Sequence, residues 1–269
     1  SNSVTAVSAL ELWTWGYNNK GQLGHGNITN LSSPVQVGVL TTWTSVTNGY
    51  LHTAGITQGG TIWTWGQNNH GQLGLNNATL YSSPKQVGAL TTWLNVSAGN
   101  YHCAAIKTDG TLWAWGFNSS GQLGQNNTTY QISSPVQIGS LTDWLTVSAG
   151  YANCAAIKTD GTLWTWGVCT SGALGHGNTT NRSSPVQVGA LTTWSQVTSN
   201  KAQMMAVKTD GTLWVWGSNN EGQLGLENTT NYSSPVQVGG LTTWLSITAG
   251  ETVSAAIITD GTMWGWGFN

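Results

Sequence analysis

The sequence contains very little charge. Charged residues make up 6% of its 269 residues, whereas an average soluble protein has roughly 25%. Seven Lys and Arg stand against nine Asp and Glu, which gives a formal net charge of −2. Nucleic-acid binding depends on clustered Lys and Arg, so no nucleic-acid partner is expected. The exposed surface must instead consist mainly of Asn, Thr, Ser, Gln and Gly.

Long apolar runs and cysteines are also scarce. No apolar run approaches the ~20 residues that a membrane span needs, so membrane insertion is not expected, and the opening SNSVTAVSAL does not have the pattern of a signal peptide. Three cysteines do not indicate a disulfide framework. Cys103 and Cys154 both begin the stretch Cys-Ala-Ala-Ile-Lys-Thr-Asp-Gly, which favours small buried residues. A bridge between Cys154 and Cys169 stays open, because spacing alone cannot decide it.

The abundant feature is an internal repeat of about 50 residues. The pattern Trp-x-Trp-Gly begins at residues 13, 63, 113, 164, 214 and 264. One extra residue falls between Asn127 and Pro135. Glycine accounts for 36 residues, and β-branched and aromatic residues dominate the periodic runs, which favours strands over helices. Repeats of this length are typical of solenoids, propellers and arrays.

Each repeat predicts four short strands, best seen in its second complete copy. The predicted strands are Trp93–Ala98, His102–Lys107, Leu112–Gly116 and Pro135–Gly139. Asp109 precedes Gly in a hairpin turn between the second and third strands, and Pro135 suits an outer edge strand. Side chains alternate along a strand, so Trp113 and Trp115 share one face. We expect both rings, with Trp144, to be buried between neighbouring sheets.

Small sheets repeated at this period predict one all-β domain over residues 1–269, a β-propeller. We expect about six blades, of which the first lacks its innermost strand and the last its outermost. Because Val4–Gly16 and Val253–Gly267 encode the same two strands, five blades, part of a seven-bladed ring, or a longer array are the alternatives. A longer native polypeptide is also expected.

The stretches WGFNSSGQLGQNNTT…SSPVQIG and VSAGYANCAAIKTDGTLWTWG resemble the regulator-of-chromosome-condensation repeat. Its hallmark is W-G-x-N-x-x-G-Q-L-G followed by A-G-x-x-H-x-x-A-L, and the resemblance covers essentially the whole chain. It implies a β-propeller whose channel end often meets a protein partner. It also implies a structural hydrogen bond inside the blade for His52 and His102, although Asn153, Gln203 and Val253 replace this histidine elsewhere. The resemblance specifies function weakly, because such propellers serve unrelated roles.

No catalytic, cofactor or metal site is predicted. The histidines do not have metal-ligand spacing with other His or Cys residues, and Ser and Thr lack a paired activating base. Gly-Gln-Leu-Gly is not a phosphate loop, because no Lys follows it. General acid–base chemistry needs carboxylates that converge on one site, whereas one aspartate per repeat suits a turn. These turn residues are Asp109, Asp160, Asp210 and Asp260. The chain is therefore predicted not to be an enzyme.

Two sets of loops are candidates for binding. The turn after the first strand differs in every copy while the strands barely change, a pattern that is typical of a binding surface. The candidate partner-binding residues are Tyr50, Leu51, Asn100, Tyr101, Tyr151, Lys201 and Glu251. The longer loops share an Asn-x-Thr triplet, which predicts either side-chain-capped turns or, in a secreted protein, glycosylation. The triplets begin at Asn27, Asn77, Asn127, Asn178 and Asn228.

Low charge and near-identical repeats predict a structural or adhesive propeller of an extracellular surface, fibre or virion. Such a propeller would present its repeated loops to a protein or glycan, and a homo-oligomer or fibre is a further expectation. The alternative is a secreted protein-binding module that uses the variable turns, by analogy with the β-lactamase-inhibitor proteins built on the same propeller. A nuclear exchange factor, the role of the family's namesake, is disfavoured because a basic surface is absent.

Overall fold

The computed structural model describes residues 10–40 and 42–268, whose backbone is almost entirely β. The one helical segment in these ranges is a single 3-10 turn at Thr170–Gly172. None of the described helices is long and apolar enough to cross a membrane. Antiparallel sheets follow one another along the chain, so the predicted all-β propeller is confirmed.

The strands fall into four positions within a blade. First strands are β3 (Trp43–Asn48), β7 (Trp93–Ala98), β11 (Trp144–Ala149), β15 (Trp194–Ser199) and β19 (Trp244–Ala249). Second strands are β4 (His52–Thr57), β8 (His102–Lys107), β12 (Asn153–Lys158), β16 (Gln203–Lys208) and β20 (Val253–Ile258). Third strands are β1 (Trp13–Gly16), β5 (Ile62–Gly66), β9 (Leu112–Phe117), β13 (Leu163–Gly167), β17 (Leu213–Gly217) and β21 (Met263–Gly267). Fourth strands are β2 (Leu31–Gln36), β6 (Tyr81–Gln86), β10 (Gln131–Gln137), β14 (Arg182–Gln187) and β18 (Tyr232–Gln237).

Five blades are present in the described residues, and the prediction of six is wrong. Each blade begins with a first strand that contacts the first strands of its neighbours along the central channel. Four blades have all four strands, and the last, β19–β20–β21, has three. Within the described residues, the remaining sheet, β1–β2, has a third and a fourth strand. It carries the Trp-x-Trp-Gly pattern, and the second strand predicted from Val4 onward lies outside the described residues.

The fourth strand of the second blade begins earlier than predicted. It runs over Gln131–Gln137 rather than Pro135–Gly139. Its pairing with β9 shifts register between Ile132 and Val136. Pro135 therefore lies inside an irregular stretch of the ladder, where its missing N–H costs no strand pairing.

Neighbouring blades pack face to face through apolar side chains. We call the face that a blade turns toward the next blade in the chain its forward face, and the opposite one its rear face. Between the second and third blades, the forward face supplies Ala104, Ile106, Leu112 and Leu123. The rear face supplies Trp144, Val147, Cys154 and Trp166. The same arrangement recurs at the other blade interfaces, so the core is a series of similar layers.

The two repeated motifs meet at each of these interfaces. The buried Trp115 indole donates a hydrogen bond from Nε1 to the Gln72 carbonyl of the preceding blade (3.0 Å). Next to it, Gly74 has φ +71° and a Cβ there would lie 2.8 Å from the same Nε1. Equivalent bonds join Trp65 to Gln22, Trp166 to Gln122, Trp216 to Ala173 and Trp266 to Gln223. Trp-x-Trp-Gly and Gly-Gln-Leu-Gly are therefore two halves of one contact between blades.

The tryptophans are buried largely as predicted. Trp115 and Trp144 belong to the core between blades. Trp113 is only half-buried, although it packs against the same cluster as Trp115. The shared face of the two rings is therefore confirmed, and the outer ring is the more accessible one.

Candidate functional site

The repeated aspartates hold turns together. The Asp109 carboxylate accepts hydrogen bonds from the Thr111 N–H (3.0 Å) and hydroxyl (2.6 Å), and that hydroxyl accepts one from Trp113 Nε1 (2.8 Å). The bonds from Thr111 lower the pKa of Asp109, so the carboxylate stays ionised. The turns at Asp160 and Asp210 repeat this arrangement. These carboxylates have the turn role that their sequence context predicts.

Two histidine–cysteine pairs link consecutive blades. His52 Nε2 lies 3.3 Å from Cys103 Sγ, and His102 Nε2 lies 3.2 Å from Cys154 Sγ. Burial, with a smaller effect of neighbouring His102, lowers the pKa of His52 to about 3, and burial lowers the pKa of His102 to about 4. Burial also raises the pKa of both thiols. Each pair is neutral and sealed from solvent, and it joins adjacent blades, not one blade internally as the resemblance implied.

Cys169 takes over a structural role of asparagine. Its Sγ donates to the Asn178 carbonyl (3.3 Å), as the Asn118 amide donates to the Asn127 carbonyl in the preceding blade (3.2 Å). All three thiols of the described residues are unpaired. The bridge between Cys154 and Cys169 that the sequence left open is therefore not formed.

The variable turns after the first strands converge at one end of the channel. We call this surface the channel mouth, formed by residues 49–51, 99–101, 150–152, 200–202 and 250–252. Its turns are joined in series, since the Tyr50 N–H donates to the Asn100 carbonyl (3.3 Å) and the Asn100 N–H to the Gly150 carbonyl (3.2 Å). Together with hydroxyl side chains of the first strands, Tyr50, Asn100 and Tyr151 line a recess of about 460 Å³. All the partner-binding residues predicted from the sequence lie on this one surface.

A group of aromatic side chains begins at the channel mouth and continues onto the neighbouring loops. The Tyr101 ring lies 5.9 Å from Tyr50, 5.1 Å from His70 and 6.4 Å from Phe117. Tyr130 extends the group, 5.8 Å from His70 and 5.2 Å from Phe117. We call these five residues the aromatic cluster. Most of the contacts are edge-to-face, which aromatic pairs prefer, and Tyr50 and Tyr130 remain exposed.

Two titratable side chains of the aromatic cluster favour their neutral forms. Burial, with the nearby Tyr50 and Tyr151 phenols, raises the pKa of Tyr101. Burial lowers the pKa of His70. The cluster therefore presents rings, hydroxyls and an uncharged imidazole to solvent.

The channel mouth also carries one exposed ion pair. Lys201 Nζ lies 2.6 Å from Glu251 Oε1 and 5.6 Å from the centre of the Tyr151 ring. The hydrogen bond that Lys201 donates to the Glu251 carboxylate raises the pKa of Lys201, so its ammonium stays protonated. An aromatic region and one exposed ion pair thus lie side by side.

Sequence reasoning missed three members of the aromatic cluster: His70, Phe117 and Tyr130. A signal was available for each, because they occupy positions at which the copies differ. The residue before Gly-Gln-Leu-Gly or its Gly-Ala-Leu-Gly variant is Lys20, His70, Ser120, Ser171 or Glu221. Phe117 follows Trp-Gly, another variable position, and Tyr130 lies in the loop that carries the one extra residue.

The Asn-x-Thr loops form side-chain-capped turns. In every copy the Asn Oδ1 accepts a hydrogen bond from the N–H two residues later, at 2.8–3.0 Å. The Nδ2 atom, to which a glycan would be attached, donates to the carbonyl two residues earlier, as from Asn77 to Leu75 (3.1 Å). These bonds explain the repeated triplet structurally, and glycosylation stays a prediction.

Solved structures share this architecture at low identity. The yeast RCC1 protein Prp20 bound to Kap60 is 21% identical with a TM-score of 0.85, over 97% of this chain and 65% of that one. Prp20p of Saccharomyces cerevisiae, in a structure that concerns binding to Gsp1p and histones, is 21% identical with a TM-score of 0.85, over 97% and 67%. Human WBSCR16 is 22% identical with a TM-score of 0.77, over 87% and 64%. At these identities the likeness shows the fold, and the chain spans less than two thirds of the human protein and of Kap60-bound Prp20.

Matches between the sequence and family models show which family the chain belongs to. The model of the regulator of chromosome condensation (RCC1) repeat matches residues 11–56, 59–106, 109–157, 160–206 and 210–257. A second model of the same repeat matches residues 43–72 and 93–122. These matches cover most of the chain, and each one spans the third and fourth strands of one sheet and the first and second strands of the next. The chain belongs to the regulator of chromosome condensation (RCC1) repeat family.

Proposed function

We propose that this chain is a non-enzymatic, protein-binding propeller that contacts its partner through the channel mouth. The observation that carries the proposal is the aromatic cluster, which gathers five rings from loops that differ between copies. Tyr supplies a large amphipathic contact area at low conformational cost, and aromatic residues are enriched among the residues that dominate binding energy. A scaffold that only packs its own blades has no need of exposed rings at Tyr50 and Tyr130.

The chemistry of the channel mouth favours one kind of partner. Neutral rings suit an apolar or aromatic anchor on a protein segment, and the adjoining Lys201–Glu251 pair offers one charge of each sign to fix its register. A polyanion would find a single exposed cation there. Structures of the yeast relatives concern binding to Kap60, Gsp1p and histones, which supports the protein class of the partner and leaves its identity open.

A second candidate rests on the likeness of the five Asn-x-Thr loops, which share the same capping hydrogen bonds. Each loop would hold one weak ligand, and linkage would multiply the affinity. This is the structural or adhesive role predicted from the sequence. The comparisons do not support an extracellular, fibre or virion-associated role, so that role and its location stay predictions.

Selection from a phage-displayed library of random peptides separates the two candidates. The test variant is Tyr101→Ala with Tyr151→Ala on the channel mouth. The matched control is Thr128→Ala with Thr179→Ala, two exposed loop positions of the same two blades. We expect one selected peptide to bind per chain of the wild type and of the control. The test variant should bind none of these peptides. Binding of several peptides per chain, in a number that the control lowers, would transfer the function to the repeated loops.

A further inference from the structure

A recess of about 320 Å³ lies between the second and third blades and shares no residue with the channel mouth. We call it the interblade recess. Trp144 and Trp164 belong to its wall, as does Leu141 from the segment that joins the two blades. None of the residues that line it is ionisable, and its polar side chains are those of Gln125, Asn126 and Ser184. An ion would find no opposite charge there, so the interblade recess suits a neutral ligand.

Trp164 gives the interblade recess an aromatic surface. It is half-buried, whereas Trp166 on the same face of the strand is fully buried. The Trp164 indole N–H already donates to the Thr162 hydroxyl (2.9 Å), so the indole offers a ligand its π surface rather than a hydrogen bond. Lys158 Nζ lies 4.4 Å from the centre of the Trp164 ring but does not line the interblade recess. The ammonium and the recess therefore meet different parts of the indole.

The residue at position 125 distinguishes this interface from the preceding one. At the equivalent position, Leu75 packs against the apolar core between the first and second blades. Gln125 instead turns toward the fourth strand of its own blade, where its Nε2 donates to the Gln137 carbonyl (3.1 Å). The interface between the second and third blades thus has an amide beside the half-buried Trp164, where the preceding interface has hydrocarbon.

We propose that the interblade recess binds a neutral pyranose saccharide. One face of a pyranose ring carries C–H groups that pack against the electron-rich face of an indole, here Trp164. The ring hydroxyls both donate and accept hydrogen bonds, as do the amides of Gln125 and Asn126 and the hydroxyl of Ser184. A purely apolar ligand would displace water from these three polar groups without replacing its hydrogen bonds. The volume lies at the lower end of the range for ligand pockets, which suits one or two sugar rings.

Saturation-transfer NMR with four uncharged probes tests the proposal. The probes are the methyl glycosides of glucose, galactose, mannose and N-acetylglucosamine, and sialic acid is the charged comparison. A ligand of this size should bind with a dissociation constant on the order of 1 mM. The interblade recess does not depend on the function proposed for the channel mouth, since the two sites use different residues.

The test variant combines Gln125→Leu with Asn126→Gly, and both new residues occur naturally in other copies. Leucine stands at the position of Gln125 in two other blades, and glycine with a positive φ stands at the position of Asn126 in two others, so the fold should be unchanged by circular dichroism. The matched control is Asn76→Gly, an exposed residue with φ +57° at the equivalent position of the first blade. We expect at least one neutral glycoside to bind the wild type and the control, and the test variant to bind it about ten-fold more weakly.

Three results would overturn the proposal. One is the absence of saturation transfer to all four glycosides at about ten times the expected dissociation constant. Another is tighter binding of sialic acid than of any neutral probe. The third is equal affinity of the test variant and the wild type; a loss of binding in Tyr101→Ala with Tyr151→Ala would then place the saccharide at the channel mouth instead.

Discussion

The contact between Trp115 and Gly74 makes a sharp prediction about what holds neighbouring blades together. Gly74→Ala adds a Cβ that would lie 2.8 Å from Trp115 Nε1, and it places a side chain at φ +71°. Gly88 is a matched control, because it has φ +60° and a Cβ there would meet nothing within 4 Å. Both substitutions impose a left-handed backbone on alanine, and only the first forces two blades apart.

The expected magnitudes differ for that reason. A left-handed conformation costs a non-glycine residue about 1–2 kcal/mol, which is the whole effect expected for Gly88→Ala. Overpacking of a tight core costs a further 1–3 kcal/mol or so, so the free energy of unfolding should fall by about 2–5 kcal/mol for Gly74→Ala. Gly74 cannot relieve the clash by moving outward, because it is buried between blades.

A double-mutant cycle isolates the contact with the indole. Trp115→Phe removes the Nε1 atom that the new methyl group would meet, so in that background Gly74→Ala should cost no more than Gly88→Ala does. Urea unfolding followed by far-ultraviolet circular dichroism measures all four combinations without relying on Trp fluorescence. The reasoning is refuted if Gly74→Ala and Gly88→Ala are equally costly in the wild type, or if the cost of Gly74→Ala is the same with Trp and with Phe at position 115.

Three further predictions concern stability. Trp115→Ala should lower the free energy of unfolding by about 3–5 kcal/mol; a loss below about 1 kcal/mol, typical of surface substitutions, would contradict its burial. Burial holds the pKa of His52 at about 3 and of His102 at about 4, below the ordinary 6.5, so unfolding takes up protons below pH 6.5. Stability should be full above that pH and fall by about 1.4 kcal/mol per unit for each histidine on acidification toward pH 4; His102→Gln should make the urea midpoint less steeply dependent on pH, and an unchanged slope would contradict this. Lys107 Nζ lies 3.6 Å from the Trp113 ring centre, so Lys107→Met should cost about 0.5–2 kcal/mol in urea unfolding, and a more stable variant would show that desolvation of the ammonium outweighs its attraction to the ring.

The sequence predicts the propeller well because the contact that makes it is repeated. Each copy shows alternation around Trp113 and Trp115, a turn at Asp109, and a short strand on either side, and these local rules are sufficient to place three of the four strands. The number of blades was missed because Trp13–Gly16 has the same local pattern as the third strands of the complete blades, so its pattern alone indicates a blade of its own. The start of the fourth strand was missed because the register shift before Pro135 leaves no mark in the local pattern.

The candidate site, like the fold, could be predicted from the sequence only in part. Variation between copies predicted the channel mouth. Turns that differ between copies while the strands stay constant are typical of a binding surface on a fixed scaffold. The aromatic cluster could not be predicted, because its rings come from loops that are distant in sequence. Tyr101 follows a first strand, His70 precedes Gly-Gln-Leu-Gly in the blade before, and Tyr130 precedes a fourth strand. Only the stacking of blades brings His70 within about 6 Å of both Tyr101 and Tyr130.

Variation inside the core obeys a different rule from variation at the channel mouth. Where His102 begins a second strand, its Nε2 lies 3.2 Å from Cys154 Sγ of the following blade. Where Gln203 takes the same position, its Nε2 donates to Ser254 Oγ of the following blade, at 3.3 Å. A change on one blade is thus matched by a side chain of the next, because a buried polar group must keep a partner. The exposed turns of the channel mouth are not constrained in this way. The core does not require a particular residue at Tyr50, and the Tyr50 ring is accessible to a molecule outside the chain.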